Sequence, residues 1–325
     1  MKRWNMVDFR YHLVSLVSVF LALAVGIILG AGPLQNAIGD TLSNRVEALR
    51  ASRDDAREKF DAANDELKSS NAALKKAGEQ LVDKTLTGRR VALVVMPGAS
   101  DGEITAAQES LTLAGATITG RMDLNAKYAS SDGAAHRKAV AGQVGPALGQ
   151  PQDAGPDDVI AAAISHILRK GVNDGASAPL VAALTAKGDA LVKIADLKQP
   201  ADAVLVVAPK ELRLANASKA KKAAAAKVYT QAFKDLSAKG PTAALGADGG
   251  KNDLIVSLRG TKSGSTVDHA GGTQASINTP IAVASEILGG HVHLGTGQSA
   301  ESPIGTRVDV AVPGAAGSNA ANGNG

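Results

Sequence analysis

The sequence predicts an α/β protein preceded by a single transmembrane helix and a helical coiled-coil stalk, and three observations carry that reading. Residues 13–34 contain no charged side chain. Residues 42–81 contain no proline, and a heptad runs through them without a break. From residue 91 onward, short β-branched runs alternate with stretches of helical periodicity, the pattern of strands and helices layered around one core. The 325 residues allow about two domains at ~150 residues each.

At ~1.5 Å per residue the uncharged run is ~33 Å long, a match to a ~30 Å hydrocarbon layer. Lys2, Arg3 and Arg10 precede it against a single Asp8, whereas the flank beyond it is mixed in sign. The positive-inside rule therefore places residues 1–12 in the cytoplasm and everything beyond residue 34 outside. The run exceeds the roughly 7–15-residue apolar core of a signal peptide, and Pro33 directly follows the small-residue site at Ala31-Gly32, so it reads as an uncleaved anchor. Ser18, Ala22, Gly26 and Gly30 recur every four residues. They form one small-residue face on which two helix backbones can approach in lipid.

The stalk is expected over residues 40–84. Its a positions are Val46, Arg53, Phe60, Leu67, Leu74 and Leu81, and its d positions Leu42, Leu49, Ala56, Ala63, Ser70 and Ala77. Nine basic and nine acidic side chains over residues 42–84 keep the other faces solvated and self-compensating. The stretch reads either as one exposed helix or as a short parallel coiled coil. The coiled coil is preferred because the tether raises effective concentration, and it makes the chain a homodimer or higher homo-oligomer.

The outer domain is expected over residues 89–312. Val91-Ala-Leu-Val-Val95 reads as a buried strand and Pro97-Gly98 as a turn, with Asp101 capping a helix that carries Ile104, Ala107, Gln108 and Leu111. Gly115 ends that helix, and residues 116–122 complete a βαβ unit. A partial helix near 134–141 leads into a Gly/Pro-rich loop. Asp157 or Asp158 then caps a helix through Lys170, and Pro179 starts another that ends at Gly188. Strands are expected at 190–194, 203–208, 242–246 and 254–258, and helices at 217–239 and 276–288. Alternation of this kind gives a Rossmann-like sheet, parallel or mixed and covered on both faces. Residues 313–325 are rich in Gly, Ala, Asn and Ser and are expected to be disordered.

Composition narrows the chemistry. With no cysteine, disulfides, thiolate metal sites and cysteine nucleophiles are excluded. Aromatic residues at 2% and a net charge of +4 provide neither base-stacking platforms nor a basic footprint, so nucleic acid is not an expected partner. Gly295-Thr-Gly297-Gln-Ser-Ala300 has the spacing of a dinucleotide loop, but Pro303 follows where a helix should start, so it reads as a glycine turn. Gly249-Gly250-Lys251-Asn252 lacks the residues of a phosphate loop. His291 and His293 flank Val292; on a strand both rings would share one face and, with His269 beside Asp268 as third member, form the candidate metal set. The competing reading is a pair of surface histidines. Lys219, Lys221, Lys222 and Lys227 read as a solvated helix face. No Ser/His/Asp arrangement emerges from spacing, so the chain does not read as an enzyme.

Two groups of residues carry a family likeness. The first is Asp8-Phe-Arg10-Tyr-His12-Leu-Val-Ser15-Leu, continued by Phe20-Leu-Ala-Leu-Ala-Val-Gly26 and Gly30-Ala-Gly-Pro33-Leu. The second is Ser265-Thr-Val267-Asp268, Asn278-Thr-Pro280 and Gly295-Thr-Gly297. Together they resemble the mycobacterial copper transport protein B (MctB) family of actinobacteria. The resemblance implies a membrane protein of the cell envelope in contact with lipid, acting in copper efflux or homeostasis, with copper ion as its metal. It carries no ligand set. Cu(I) prefers sulfur ligands, and the four methionines, Met1, Met6, Met96 and Met122, are scattered. One apolar helix makes no pore. Two alternatives stay open: a non-catalytic scaffold that binds other envelope proteins, and an anchored enzyme with a degenerate pocket near Gly297 and Asp268.

Overall fold

A computed structural model describes residues 7–212, 217–250 and 253–312. It divides into two compact units, Met1–Ser70 and Asn71–Gly325. Helix α1 spans Val7–Val82, and its residues up to Ser70 belong to the first unit. Phe9–Gly30 within α1 has a mean hydropathy of 2.7 and is long and apolar enough to cross a membrane. Its side chains are exposed, as are Leu42, Leu49, Phe60 and Leu67 further along. Ser18, Ala22, Gly26 and Gly30 lie on this exposed helix.

The second unit is built on a seven-stranded sheet. Its strands are β1 (Arg90–Val95), β2 (Thr117–Leu124), β3 (Val192–Ala195), β4 (Ala203–Val207), β5 (Thr242–Leu245), β6 (Ser265–Val267) and β7 (His293–Leu294). Their order is β3-β2-β1-β4-β5-β6-β7. Every neighbouring pair is parallel except β2 and β3. The helices are α2 (Asp101–Leu113), α3 (Ala134–Val144), α4 (Pro156–Lys170), α5 (Ser177–Leu184), α6 (Lys219–Ala238), α7 (Leu254–Arg259) and α8 (Thr273–Ile287).

Side-chain alternation along the strands separates two cores. Ala92, Val94, Val204, Val206 and Ala244 pack against apolar residues of α3 to α7, with Tyr229 and Phe233 of α6 at the centre. Val91, Leu205, Ala243 and Leu245 pack against α2, α8 and the last turn of α1. β1 and β4 are buried on both faces, which is why each reads as an unbroken apolar run. The end of α1 is part of this core: Leu74, Leu81 and Val82 join it. A Cβ at Gly78 would lie 2.2 Å from Ile277 Cγ1 of α8, so the glycine sets the helix–helix approach there. The heptad positions Leu74 and Leu81 thus serve the α/β unit.

Several expected boundaries move, each for a local reason. Ser100, not Asp101, caps α2: its Oγ accepts from the Glu103 N–H at 3.2 Å, and Glu103 Oε2 accepts from the Ser100 N–H at 2.8 Å, a complete capping box. Helix α4 starts with Pro156 after Gly155, because proline is preorganised for the first helical position. Asp157 instead accepts from Arg137 Nε of α3 at 2.8 Å. Ser177, rather than Pro179, begins α5. Residues 254–258, expected as a strand, form α7, since Leu254, Ile255 and Leu258 bury at helical spacing. The fifth parallel position is taken by Ser265-Thr-Val267, a short polar run that is nonetheless fully buried. The tail at 313–325 lies outside the described residues.

Candidate functional site

The polar residues of the second unit converge where β6 ends. Asp268 follows β6, and its side chain is 0% exposed. Four donors meet its two oxygens. Arg259 Nη2 (2.9 Å) and the Gly297 N–H (3.0 Å) reach Oδ2, while His269 Nδ1 (2.6 Å) and the Thr296 N–H (3.1 Å) reach Oδ1. Burial by itself pushes the carboxyl up, but His269, Arg259 and the two backbone donors together hold it below its ordinary value. Arg259, at the end of α7 and likewise enclosed, also donates from Nε to Thr266 Oγ1 (2.9 Å) and from Nη1 to the Gln298 carbonyl (2.6 Å).

This clasp explains the Gly295-x-Gly297 pair. Gly295 has φ +131°, and a Cβ there would stand 1.9 Å from Asp268 Oδ1. One at Gly297 would lie 2.6 Å from the Gly249 Cα and 2.8 Å from Asp268 Oδ2. The glycines let backbone wrap a carboxylate, a close approach that only glycine permits. No helix follows them, so the segment is the glycine turn that its context predicts.

A second buried carboxylate, Glu286 of α8, ties the other end of β6. Its Oε1 accepts from the Ser265 N–H (2.5 Å), Ser265 Oγ (2.6 Å) and His291 Nδ1 (2.8 Å). Asn278 of α8 holds the chain after β7, donating to the Pro303 carbonyl (2.8 Å) and accepting from the Gly305 N–H (3.0 Å).

The three candidate histidines therefore stand at three levels along β6. His291 pairs with Glu286 beside Ser265, His293 with Thr266 at 3.0 Å, and His269 with Asp268. At ~3.3 Å per residue, the Ser265 and Asp268 levels are ~10 Å apart. β7 covers only His293–Leu294, so His291 stands ahead of the strand and outside its side-chain alternation. Among the described residues no group of three or more His, Asp or Glu is arranged to hold a metal ion. Thr266 Oγ1 accepts from Arg259 Nε and also lies within hydrogen-bond distance of His293 Nδ1. Burial, with the Arg259 charge behind it, also holds the His293 pKa below its ordinary value. His166 pairs with Asp174 at 3.1 Å.

Sequence spacing missed Arg259, Thr266 and Glu286. Glu286 had a signal: it is the one acid in the apolar stretch Ile281–Ile287 of α8. Arg259 had none, since its partners come from β6 and from the turn after β7. The crevice between the ends of β1 and β4, where the strand order reverses, is bordered by the α2 N-terminus. There the capping box and the acidic Asp101 and Glu103 occupy the positive end of the helix.

Fold and site together define a chain with one N-terminal helix able to cross a membrane and a mostly parallel α/β unit closed by buried carboxylate clasps. Residues 6–304 match the family model described as copper transport outer membrane protein, MctB, and the chain belongs to that family. It is 28% identical over 135 residues to the copper transporter MctB of Mycobacterium tuberculosis (strain ATCC 25618 / H37Rv), covering 42% of this chain and 43% of the relative. With the copper transporter MctB of Mycobacterium leprae (strain TN) it shares 26% identity over 127 residues, 39% of this chain and 40% of the relative. The aligned stretch thus spans under half the length of these curated relatives.

Proposed function

We propose that the chain is a single-pass membrane protein that works in copper transport at the cell envelope, in the direction of efflux and tolerance. The observation that carries this reading is the family match over residues 6–304. The apolar Phe9–Gly30 helix supports a membrane location. Lys2, Arg3 and Arg10 support a cytoplasmic N-terminus and an extracytoplasmic α/β unit. The strand order, reversing between β1 and β4, supports the Rossmann-like description. The closed α2 N-terminus supports a role without nucleotide chemistry.

Copper is the cargo in this reading, and its path involves more than one chain. The polar side chains in the apolar helix are Ser15 and Ser18, and Ser18 Oγ already donates to the Val14 carbonyl at 2.8 Å. Met96 and Met122 are buried in the core, where they offer Cu(I) no accessible sulfur. Self-packing along Ser18, Ala22, Gly26 and Gly30 supplies one assembly route. A Gly26→Ile change should weaken cross-linking of the membrane form. A scaffold role toward other envelope proteins is the second reading, favoured by the internal use of the polar clusters.

The test is total cellular copper, by mass spectrometry, in cells lacking the gene, complemented cells and wild type, each with added copper. A rise in the deletion reversed by complementation supports the proposal. Unchanged copper with an envelope defect rejects it in favour of the scaffold.

A further inference from the structure

The exposed part of α1 beyond the apolar segment has a sorted surface. At ~100° per residue, Leu42, Val46, Leu49, Phe60 and Leu67 define one stripe, and Leu49 and Phe60 are 70% and 69% exposed. On the same helical wheel Arg45, Arg50, Arg53 and Arg57 all fall within ~80° of that stripe. Glu47, Asp54, Asp55, Glu58, Asp65 and Glu66 all fall ~120° or more away, with Lys59 and Asp61 at the border. Arg53 pairs back to Asp54, and Lys59 to Asp55. Among the described residues Arg45, Arg50 and Arg57 form no ion pair. The helix thus presents an apolar seam flanked by cations and backed by anions.

We infer that this seam is a docking surface for an amphipathic helix of another protein whose own apolar seam is flanked by carboxylates. Charge complementarity selects that occupant. A second copy fits poorly: in a parallel pair Arg53 faces its own counterpart across the seam, and Arg45 meets Arg50 at the flank. The seam also stops being available where the α/β unit begins, because Leu74 and Leu81 are packed there. An anionic lipid surface fits poorly as well. Phe60 lies thirty residues beyond Gly30 in the same helix, ~45 Å at the helical rise, well past a headgroup layer into which such helices sink ~5–10 Å.

The test uses the full chain in detergent micelles and two synthetic labelled helices with leucine at a and d. One helix carries glutamate at e and g, the other lysine. Fluorescence anisotropy should show the glutamate helix binding on the order of tenfold more tightly, with affinity falling as salt is raised. The exposed triple variant R45E/R50E/R57E should reverse the preference, and the α/β unit should keep its melting temperature. Equal binding of both helices, or binding of neither, overturns the proposal. So does full disulfide cross-linking of a Phe60→Cys chain to itself that the glutamate helix fails to compete away, which would make the seam a homodimer. Protection of that cysteine from alkylation by phosphatidylserine vesicles, but not by the glutamate helix, would assign the surface to lipid and overturn it equally.

Discussion

Replacing Asp268 with asparagine separates a structural clasp from a ligand site. All four groups aimed at the carboxylate are donors: Arg259 Nη2, His269 Nδ1 and the N–H groups of Thr296 and Gly297. An amide offers them one oxygen and turns an NH2 group toward the rest, so about half the bonds are replaced by donors facing donors. Arg259, with a side chain only 2% exposed, loses its counter-charge and keeps neutral partners. Removing one member of a buried pair costs about 3–5 kcal/mol. At about 2–4 °C per kcal/mol for a domain of this size, the melting temperature should fall by roughly 6–20 °C. Calorimetry of the full chain in detergent measures it. The double variant with Arg259→Met should recover part of the loss, a coupling of at least about 1 kcal/mol. A fall of under ~2 °C, or strictly additive losses, would refute the clasp and recast Asp268 as a group kept for binding.

Four further substitutions have outcomes that the fold fixes. Gly295→Ala should destabilise about as much as the Asp268 change, because its Cβ would occupy the carboxylate. Gly102→Ala, on an open helix face, should be neutral or stabilising by up to ~1 kcal/mol, and thermal melts of the pair report the contrast. Ser100→Ala removes the α2 cap and should cost ~1 kcal/mol, read as faster hydrogen exchange in the first turn of α2. Burial and the neighbouring Asp158 push the Asp235 carboxyl up to about 6. Its folded pKa lies above the unfolded value, so ionising it weakens the fold, and stability is gained as pH falls from above 6 toward 3.8. Asp235→Asn should therefore raise stability at neutral pH by roughly 1 kcal/mol after solvent screening and flatten that pH dependence. An unchanged slope would remove the assignment.

The strands that the sequence announces most clearly are those buried on both faces. Val91–Val95 and Ala203–Val207 are continuous apolar runs with nothing competing for them. Ser265-Thr-Val267 was illegible as a strand because its polar side chains look like loop. It becomes a strand only because Glu286 and Arg259, from α8 and α7, satisfy those side chains. Leu254–Leu258 misled for the opposite reason: five residues of apolar character suit either element, and burial at 254, 255 and 258 decides for helix. The histidines show the limit of spacing arguments. His291 and His293 lie two apart in sequence, but each ring is claimed at Nδ1 by a partner from elsewhere in the fold. The family likeness did reach the right region: Asp268, Asn278, Gly295 and Gly297 all belong to the clasps. Their role there is to hold the chain together.

The chain has no cysteine, and the crosslinks that join α7, α8, β6 and the turn after β7 are made of charge. Such a closure assembles without an oxidant and without a partner enzyme to shuffle bonds, and thiol reagents leave it intact. It also gives redox-active metal ions no sulfur to oxidise at the seam. What opens it is acid: with the Asp268 carboxyl held below its ordinary value, its contribution persists through mildly acidic surroundings and fades only as pH drops through that lowered value.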